Sequence, residues 1–510
     1  MTFLQILQRA ACAVALAALI AGTAFAQASK TPKVVDEGIV IEDVTVISPE
    51  RQAPLPHATV VLREGRIAEI GTNLVAGPHA KKIEGRERFL IPGLIDSHVH
   101  AGDLVVLDDA VETHPELVQA HQAQLPRSYL AFGFTTLVDL NLADGTLSWF
   151  YGAPVHPNLL HCGSAARILG GYAALRVPKD AKAANAANLI YEPAQAKDWP
   201  AYLDPRDYTP VRAVDRVVAA GGVCLKTFVE PGFGGVFHWP VPSADTLAAL
   251  RTETRKRGLV FIVHANAVEA WRAAIDAHAD VIAHGLWHWP GDRMGTAPPR
   301  EAQDVIQAAA RAGIHVQPTL QVVYGENSVF DRSLLDDPRL AEALPHTLIS
   351  YLKSDVAQAA QRAMADQYRQ AITRVFAPAS PDVATVMAIG PARATATLRM
   401  MQTEKAKLLF GSDTPAGEGI GNPPGLNGRF ELSRWYEAGV PLSQILRATT
   451  LDNAVAFGLS ADRGTLEVGK RADMLLLRAD PLKTIDAYDS IETIFLNGSP
   501  IPRGSLLPVN

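Results

Sequence analysis

The sequence predicts an α/β protein, a (β/α)8 barrel set between two β-rich chain ends. Three observations predict it. Through the middle of the chain short apolar strands alternate with amphipathic helices, which argues for parallel strands with crossover helices. Several of those strands end in a chemically capable residue: His100, Asp139, Lys226, His264, His284 and Asp413. In a barrel the active site gathers at the C-terminal strand ends. The two ends of the chain read instead with a period of two. A doubly wound sheet is the alternative, but it would collect its polar residues at one switch point, and no GxGxxG loop follows the first strand.

Taken in order, residues 1–26 read as a cleaved signal peptide. Arg9 precedes an apolar run from Ala10 to Ala26 that closes on Ala24-Phe25-Ala26, a small-x-small cleavage pattern. The run is short for a membrane span. The expected location is periplasmic or secreted, with no membrane attachment after cleavage. From Gly38 to Ile91 "GIVIEDVTVIS", "HATVVLREGRIAEIG" and "AKKIEGRERFLIPG" read as strands, with Glu64-Gly65 as a hairpin turn. The β pattern returns in "ADMLLLRAD" and "IETIFLNGSPI". Between them lie the strands "TTLVDLN", "CLKTFVE", "LVFIVHA", "DVIAHG", "GIHVQPTL" and "KLLFGSD" and helices such as "SADTLAALRTETRKRG". Val177 to Pro210 reads as a loop insertion, and 322–406 as a helical insertion able to cover the barrel mouth.

Composition narrows the function. The 510 residues are 48% apolar and 20% charged with a net charge of -6, so there is no basic footprint for nucleic acid. A small-molecule substrate is the expected partner, and a homo-oligomer is left open. With Cys12 inside the signal peptide, only Cys162 and Cys224 remain. Two cysteines make no disulfide framework, and a domain of this size needs none.

The stretch "FLIPGLIDSHVH" runs from Phe89 to His100. Residues i and i+2 of a strand project together, so His98 and His100 suit two nitrogen ligands about 2 Å from one ion. His264 and His284 close two further strands, and Asp413 adds a carboxylate after Gly411-Ser412. Lys226 within the buried "VCLKTFVE" is disfavoured as a charged group. A depressed pKa lets its neutral amine add carbon dioxide, and the carbamate can bridge two metal ions. His238, His288 and His315 read as pocket or loop residues. Phe228, Trp239, Trp287 and Trp289 read either as an apolar substrate wall or as rim packing.

With these residues in view the chain resembles the amidohydrolase superfamily, in its imidazolonepropionase-like and prolidase-like branch. The matching motifs are "IPGLIDSHVH", "GFTTLVDL", Lys226, "VHANAVEA", "IAHG", "GIHVQPTL", "FGSDTP" and "GTLEVGKRADMLLL". The resemblance implies a barrel over 92–463 and a small β-sandwich domain formed from 34–91 and 464–510. It implies two divalent metal ions, zinc the expected metal. His98, His100 and Asp413 would hold the more buried ion, His264 and His284 the second, and N6-carboxylated Lys226 would bridge them. Asp413 would act as general base and acid on a metal-bridging hydroxide. Two departures bear on substrate. Val138 stands where the family often has arginine, and Tyr172 replaces the histidine of a Gly-Gly-His segment, either as a hydrogen-bond donor or as pocket lining. The activity implied is hydrolysis of an amide or peptide C–N bond in a dipeptide or N-acyl amino acid. Hydrolysis of a cyclic amide, lactone or ester is the alternative, and a non-catalytic binding relative is the reading of another class.

Overall fold

The computed structural model describes residues 31–105, 113–173, 177–377, 381–415 and 420–509. The expected signal peptide, 1–26, lies outside the described residues. The two chain ends meet in one eight-stranded sheet. Phe89–Pro92 is its junction, pairing parallel with Ile39–Val46 and antiparallel with Met474–Leu477. Leu90, Val46, Val60, Met474 and Phe495 bury their side chains in a separate core beneath it. Glu64 and Gly65 turn the hairpin with φ of 49° and 75°, the doubly positive pattern of a type I′ turn. A continuous sheet, not two separate ones, thus joins the ends, accompanied by the two-stranded ribbon of Lys33–Val35 and Leu74–Ala76.

Eight parallel strands follow: β1 (Leu94–Val99), β2 (Phe134–Asp139), β3 (Asn158–His161), β4 (Cys224–Phe228), β5 (Val260–His264), β6 (Val281–Ala283), β7 (His315–Gln317) and β8 (Lys407–Leu408). They lie in sheets of three and five rather than in one closed ladder. The order is TIM-barrel-like, and the departure falls at the two seams. Isolated parallel bridges join Val99 to Thr414 and Ala166 to Thr227 there. At the first seam the chain past β8 leaves regular strand geometry. Asp413 N still donates to His98 O at 2.7 Å and His100 N to Thr414 O at 2.7 Å. Ser97 N donates to Phe410 O at 3.1 Å, and side chains add to these: Asn453 Nδ2 donates to Ile95 O and Phe410 O, both at 2.8 Å, and Ser97 Oγ to Phe410 O at 2.7 Å.

The crossover helices form for ordinary reasons. Arg300–Ala312 buries Ala302, Val305, Ile306 and Ala309, one stripe at helical spacing, and stops at Gly313 with φ 69°. Ala244–Lys256 starts at Ser243, whose side chain accepts from Thr246 N. The span between β7 and β8 is mostly helical, its longest helices Asp355–Phe376 and Val383–Thr403. Within 177–210 a short helix, Ala181–Ala186, precedes Leu189–Ile190, which pairs with Arg167–Ile168.

The cysteines correct the sequence reading. Cys162 and Cys224 form a buried disulfide between the end of β3 and the start of β4, closing a separation of 62 residues. Only the packing of neighbouring strands brings them together, so their spacing gave no sign of it.

His121, on the helix Pro115–Ala131, is 1% exposed, and neither ring nitrogen has a partner among the described residues. Burial lowers it from 6.5 to about 4. Its neutral form is therefore native, and stability present above pH 6.5 is lost as pH falls toward 4. His121→Leu is expected to raise stability by about 1–3 kcal/mol at neutral pH. Urea unfolding should show the gap to the parent widening between pH 6.5 and 4, by up to ~3 kcal/mol. A constant gap across that range would contradict it.

Candidate metal centre

The expected ligands converge at the C-terminal strand ends. His98 lies in β1, His100 just after it, Lys226 in β4, His264 at the end of β5, His284 after β6 and Asp413 beyond β8. Asp413 Oδ1 is 3.1 Å from His98 Nε2 and 3.0 Å from His100 Nε2, and its Oδ2 is 3.7 Å from His284 Nδ1. Lys226 Nζ is 3.0 Å from His98 Nε2. The rings of His264 and His284 have centroids 4.4 Å apart, and those of His98 and His284 5.0 Å.

Nitrogen and carboxylate donors of this kind suit a zinc-like divalent cation with bonds of about 2.0–2.2 Å. His98, His284 and Asp413 offer ligand atoms all within 4.8 Å of one another. His284 Nε2 is buried with no hydrogen-bond partner among the described residues, which buried polar atoms seldom tolerate. Nδ1 of His98 and of His100 likewise lack protein partners. The donor set fits a metal.

Protonation agrees. Burial lowers His98 to about 3, with Lys226 adding to the effect, and lowers His284 strongly, so both rings are neutral. Burial lowers Lys226 to about 8, against the opposing fields of Asp413 and Asp139. For Asp413 burial acts upward, but the fields of His98 and His284 and the hydrogen bonds of His100 and His98 hold it well below the usual carboxylate range.

Partners to which the sequence reading gave no role complete the centre. Glu230 accepts from Gly232 N at 2.8 Å and Phe233 N at 2.7 Å, and lies 3.2 Å from His264 Nε2. That contact leaves Nδ1 of His264 for other use. Thr319 Oγ1 lies 2.9 Å from His284 Nδ1, which leaves Nε2. Thr319 holds φ 45° and ψ 49°, a left-handed conformation rare for a β-branched residue. Glu431 holds the next turn in place, accepting from Leu320 N at 3.0 Å and Gln321 N at 2.6 Å. Asp96, fully buried, accepts from His98 N and Ser412 N and so ties β1 to the Asp413 segment. His284 and Asp413 also have positive φ, 84° and 57°, and such strain collects at functional sites. Glu230, Thr319, Glu431 and Asp96 escaped the sequence reading, because each acts through a tertiary hydrogen bond.

Tyr172 stands beside the cluster, its ring 5.2 Å from that of His264. Burial raises its phenol pKa, so it stays protonated, and its hydroxyl makes no hydrogen bond among the described residues. Phe228, Phe233 and Trp239 surround it at 5.4–5.5 Å. Trp287 packs on His284 at 5.8 Å, whereas Trp289 lies 4.1 Å under Arg393. Two of the aromatics named from sequence, Phe228 and Trp239, therefore share one wall, and Trp289 is rim packing. His288 is 6.4 Å from Phe233, His238 is exposed, and His315 starts β7 at the opposite end of the sheet.

Because the Thr319 hydroxyl orients His284, Thr319→Val is expected to weaken metal binding about 10–100-fold. Thr319→Ser should retain it. Chelator competition measures both, and an unchanged affinity in the valine variant would contradict the orienting role.

Comparison with known proteins agrees with this architecture. A solved Xaa-Pro dipeptidase with bound methionine superposes with a TM-score of 0.61 at 18% identity, over 91% of this chain and 99% of that one. A molinate hydrolase gives 0.63 at 18% identity over 93% and 97%, and the ochratoxinase of A. niger 0.61 at 19% over 91% and 96%. Adenine deaminase of Ruegeria pomeroyi is 36% identical over 64 residues, 12% of this chain and 11% of that protein. The amidohydrolase family model matches residues 89–501, and the chain belongs to that family.

Proposed function

We propose that this protein is an exported metal-dependent hydrolase that cleaves an amide or peptide C–N bond in a dipeptide or N-acyl amino acid. One observation carries the reading: the neutral imidazoles of His98 and His284, a low-pKa carboxylate and a buried lysine meet at the strand ends, with His284 Nε2 unpartnered among the described residues. Family membership supports hydrolysis. The likeness to a Xaa-Pro dipeptidase supports a dipeptide-type substrate.

In this reading His98, His100 and Asp413 would hold one divalent cation, zinc the expected metal, and His264 and His284 would hold a second, with Lys226, as its carbamate, serving both. Two such cations supply Lewis-acid polarisation of a carbonyl and activation of water. Asp413, ionised at neutral pH, takes the proton of the attacking water and returns it to the leaving nitrogen. Tyr172 donates its phenolic hydrogen to the developing oxyanion. Glu230 and Thr319 keep the two imidazoles in fixed tautomers.

Export to the periplasm or medium, with residues 1–26 removed, is supported by the buried Cys162–Cys224 disulfide, which suits an oxidising compartment. Among the described residues no helix is long and apolar enough to cross a membrane.

A screen of dipeptides, N-acyl amino acids, cyclic amides and lactones tests the substrate class. Lys226→Ala should abolish turnover and lower metal content; full metal with full turnover would refute the shared lysine. Asp413→Asn should reduce kcat by about 10²–10⁴ if proton transfer runs through that carboxylate. A kcat equal to the parent's would reject that role.

A further inference from the structure

Arg167 is a half-buried charge that has no ion pair among the described residues. It follows Ala166, whose N–H donates to Lys226 O at 2.8 Å, so its backbone is held against β4 beside the centre. Its Cζ lies 5.8 Å from the Phe228 ring centroid, and Lys226 Nζ lies 5.4 Å from the same ring. Nη1 is committed to the protein, donating to Ser164 Oγ at 3.0 Å, Ala165 O at 3.1 Å and Ala187 O at 2.9 Å. Nη2 has one acceptor, Asn141 Oδ1 at 2.6 Å. Nε is buried with none.

One Nη2 hydrogen and the Nε hydrogen are therefore unspent. Nε and Nη2 form the side-on edge of the guanidinium, whose two parallel N–H bonds match the two oxygens of a carboxylate, and Asn141 Oδ1 is the single acceptor these two nitrogens have among the described residues. No carboxylate among the described residues takes that edge. Burial lowers Arg167 to about 10, with Asp103 the opposing charge, so it remains a cation at neutral pH. A half-buried guanidinium whose Nε is cut off from water is stabilised by an anion that takes its free hydrogens. The edge is also fixed in place. Asn141 N donates to Asp139 Oδ1 at 2.8 Å, and Asp139 Oδ2 accepts from Ala101 N at 2.8 Å, next to His100. One hydrogen-bonded run thus links the anchor to the ligand loop.

We propose that Arg167 binds the free carboxylate of the substrate and makes it a specificity determinant. The proposal rests on the hydrolase reading above and sharpens it. Preferred substrates carry an α-carboxylate beside the scissile bond, and neutral amides and lactones are discriminated against. Phe228 and Tyr172, packed 5.5 Å apart, give the substrate an apolar flank next to that anchor.

The test compares N-benzylglycine, which has no amide to cleave, with its C-terminal amide, by calorimetry on the metal-loaded protein. The parent should bind the acid roughly tenfold tighter or more. Arg167→Gln should bring the two affinities together, and Arg167→Lys should recover part of the preference, with metal content unchanged in both. Equal binding of acid and amide by the parent would overturn the anchor without any variant. A preference that survives Arg167→Gln would overturn it too, since the metals alone would then hold the carboxylate. Arg167-dependent binding without turnover of any dipeptide, N-acyl amino acid, cyclic amide or lactone would leave the anchor standing and remove the hydrolase reading instead.

Discussion

The carboxylate of Asp413 lies within 3.1 Å of both His98 and His100, and this contact across the first and last strands organises the rest of the centre. Burying the charged form of an ionisable group this deeply is costly unless an opposite charge, a hydrogen bond or a metal offsets it. Asp413 supplies the negative charge. Around it His98 and His284 stay neutral, burial acts downward on His100 but the Asp413 hydrogen bond raises it, and Lys226 is drawn down toward neutrality. The same low-dielectric setting that makes the cluster hard to build keeps its donors free for a divalent cation.

Regular backbone geometry is given up to make this contact. The seam between β1 and β8 is held partly by Ser97 and Asn453, with Gln317 Nε2 donating to Ser97 O at 2.7 Å, and not by a full ladder. Asp413, His284 and Thr319 hold positive φ angles around it. Glu431 and Asp96, both buried, take up the backbone N–H groups that this bending would orphan. Burial raises each of the two to about 7, which marks how dry their surroundings are.

Much of this was readable from sequence because a parallel barrel writes its chemistry at strand ends. His264 follows an apolar run in β5, His284 follows "VIA", and His98 and His100 share one side of β1 by spacing alone. What was not readable depends on contacts between residues far apart in the chain. Thr319 meets His284 across 35 residues, and Asp96 meets Ser412 across 316. Cys162 and Cys224 look like two isolated small residues until β3 and β4 lie side by side. Arg167 sits in an unremarkable "SAARIL", and its unspent edge exists only once Ser164, Ala187 and Asn141 have claimed its other hydrogens.

The central claim is that these side chains hold two metal ions with Lys226 between them. Anomalous diffraction from crystals of the zinc-loaded, bicarbonate-equilibrated protein tests it most directly. Two peaks about 3.5–4 Å apart are expected, one against His98, His100 and Asp413, the other against His264 and His284, with extra density on Lys226 Nζ. A single peak, or two peaks beside an unmodified Lys226, would contradict it.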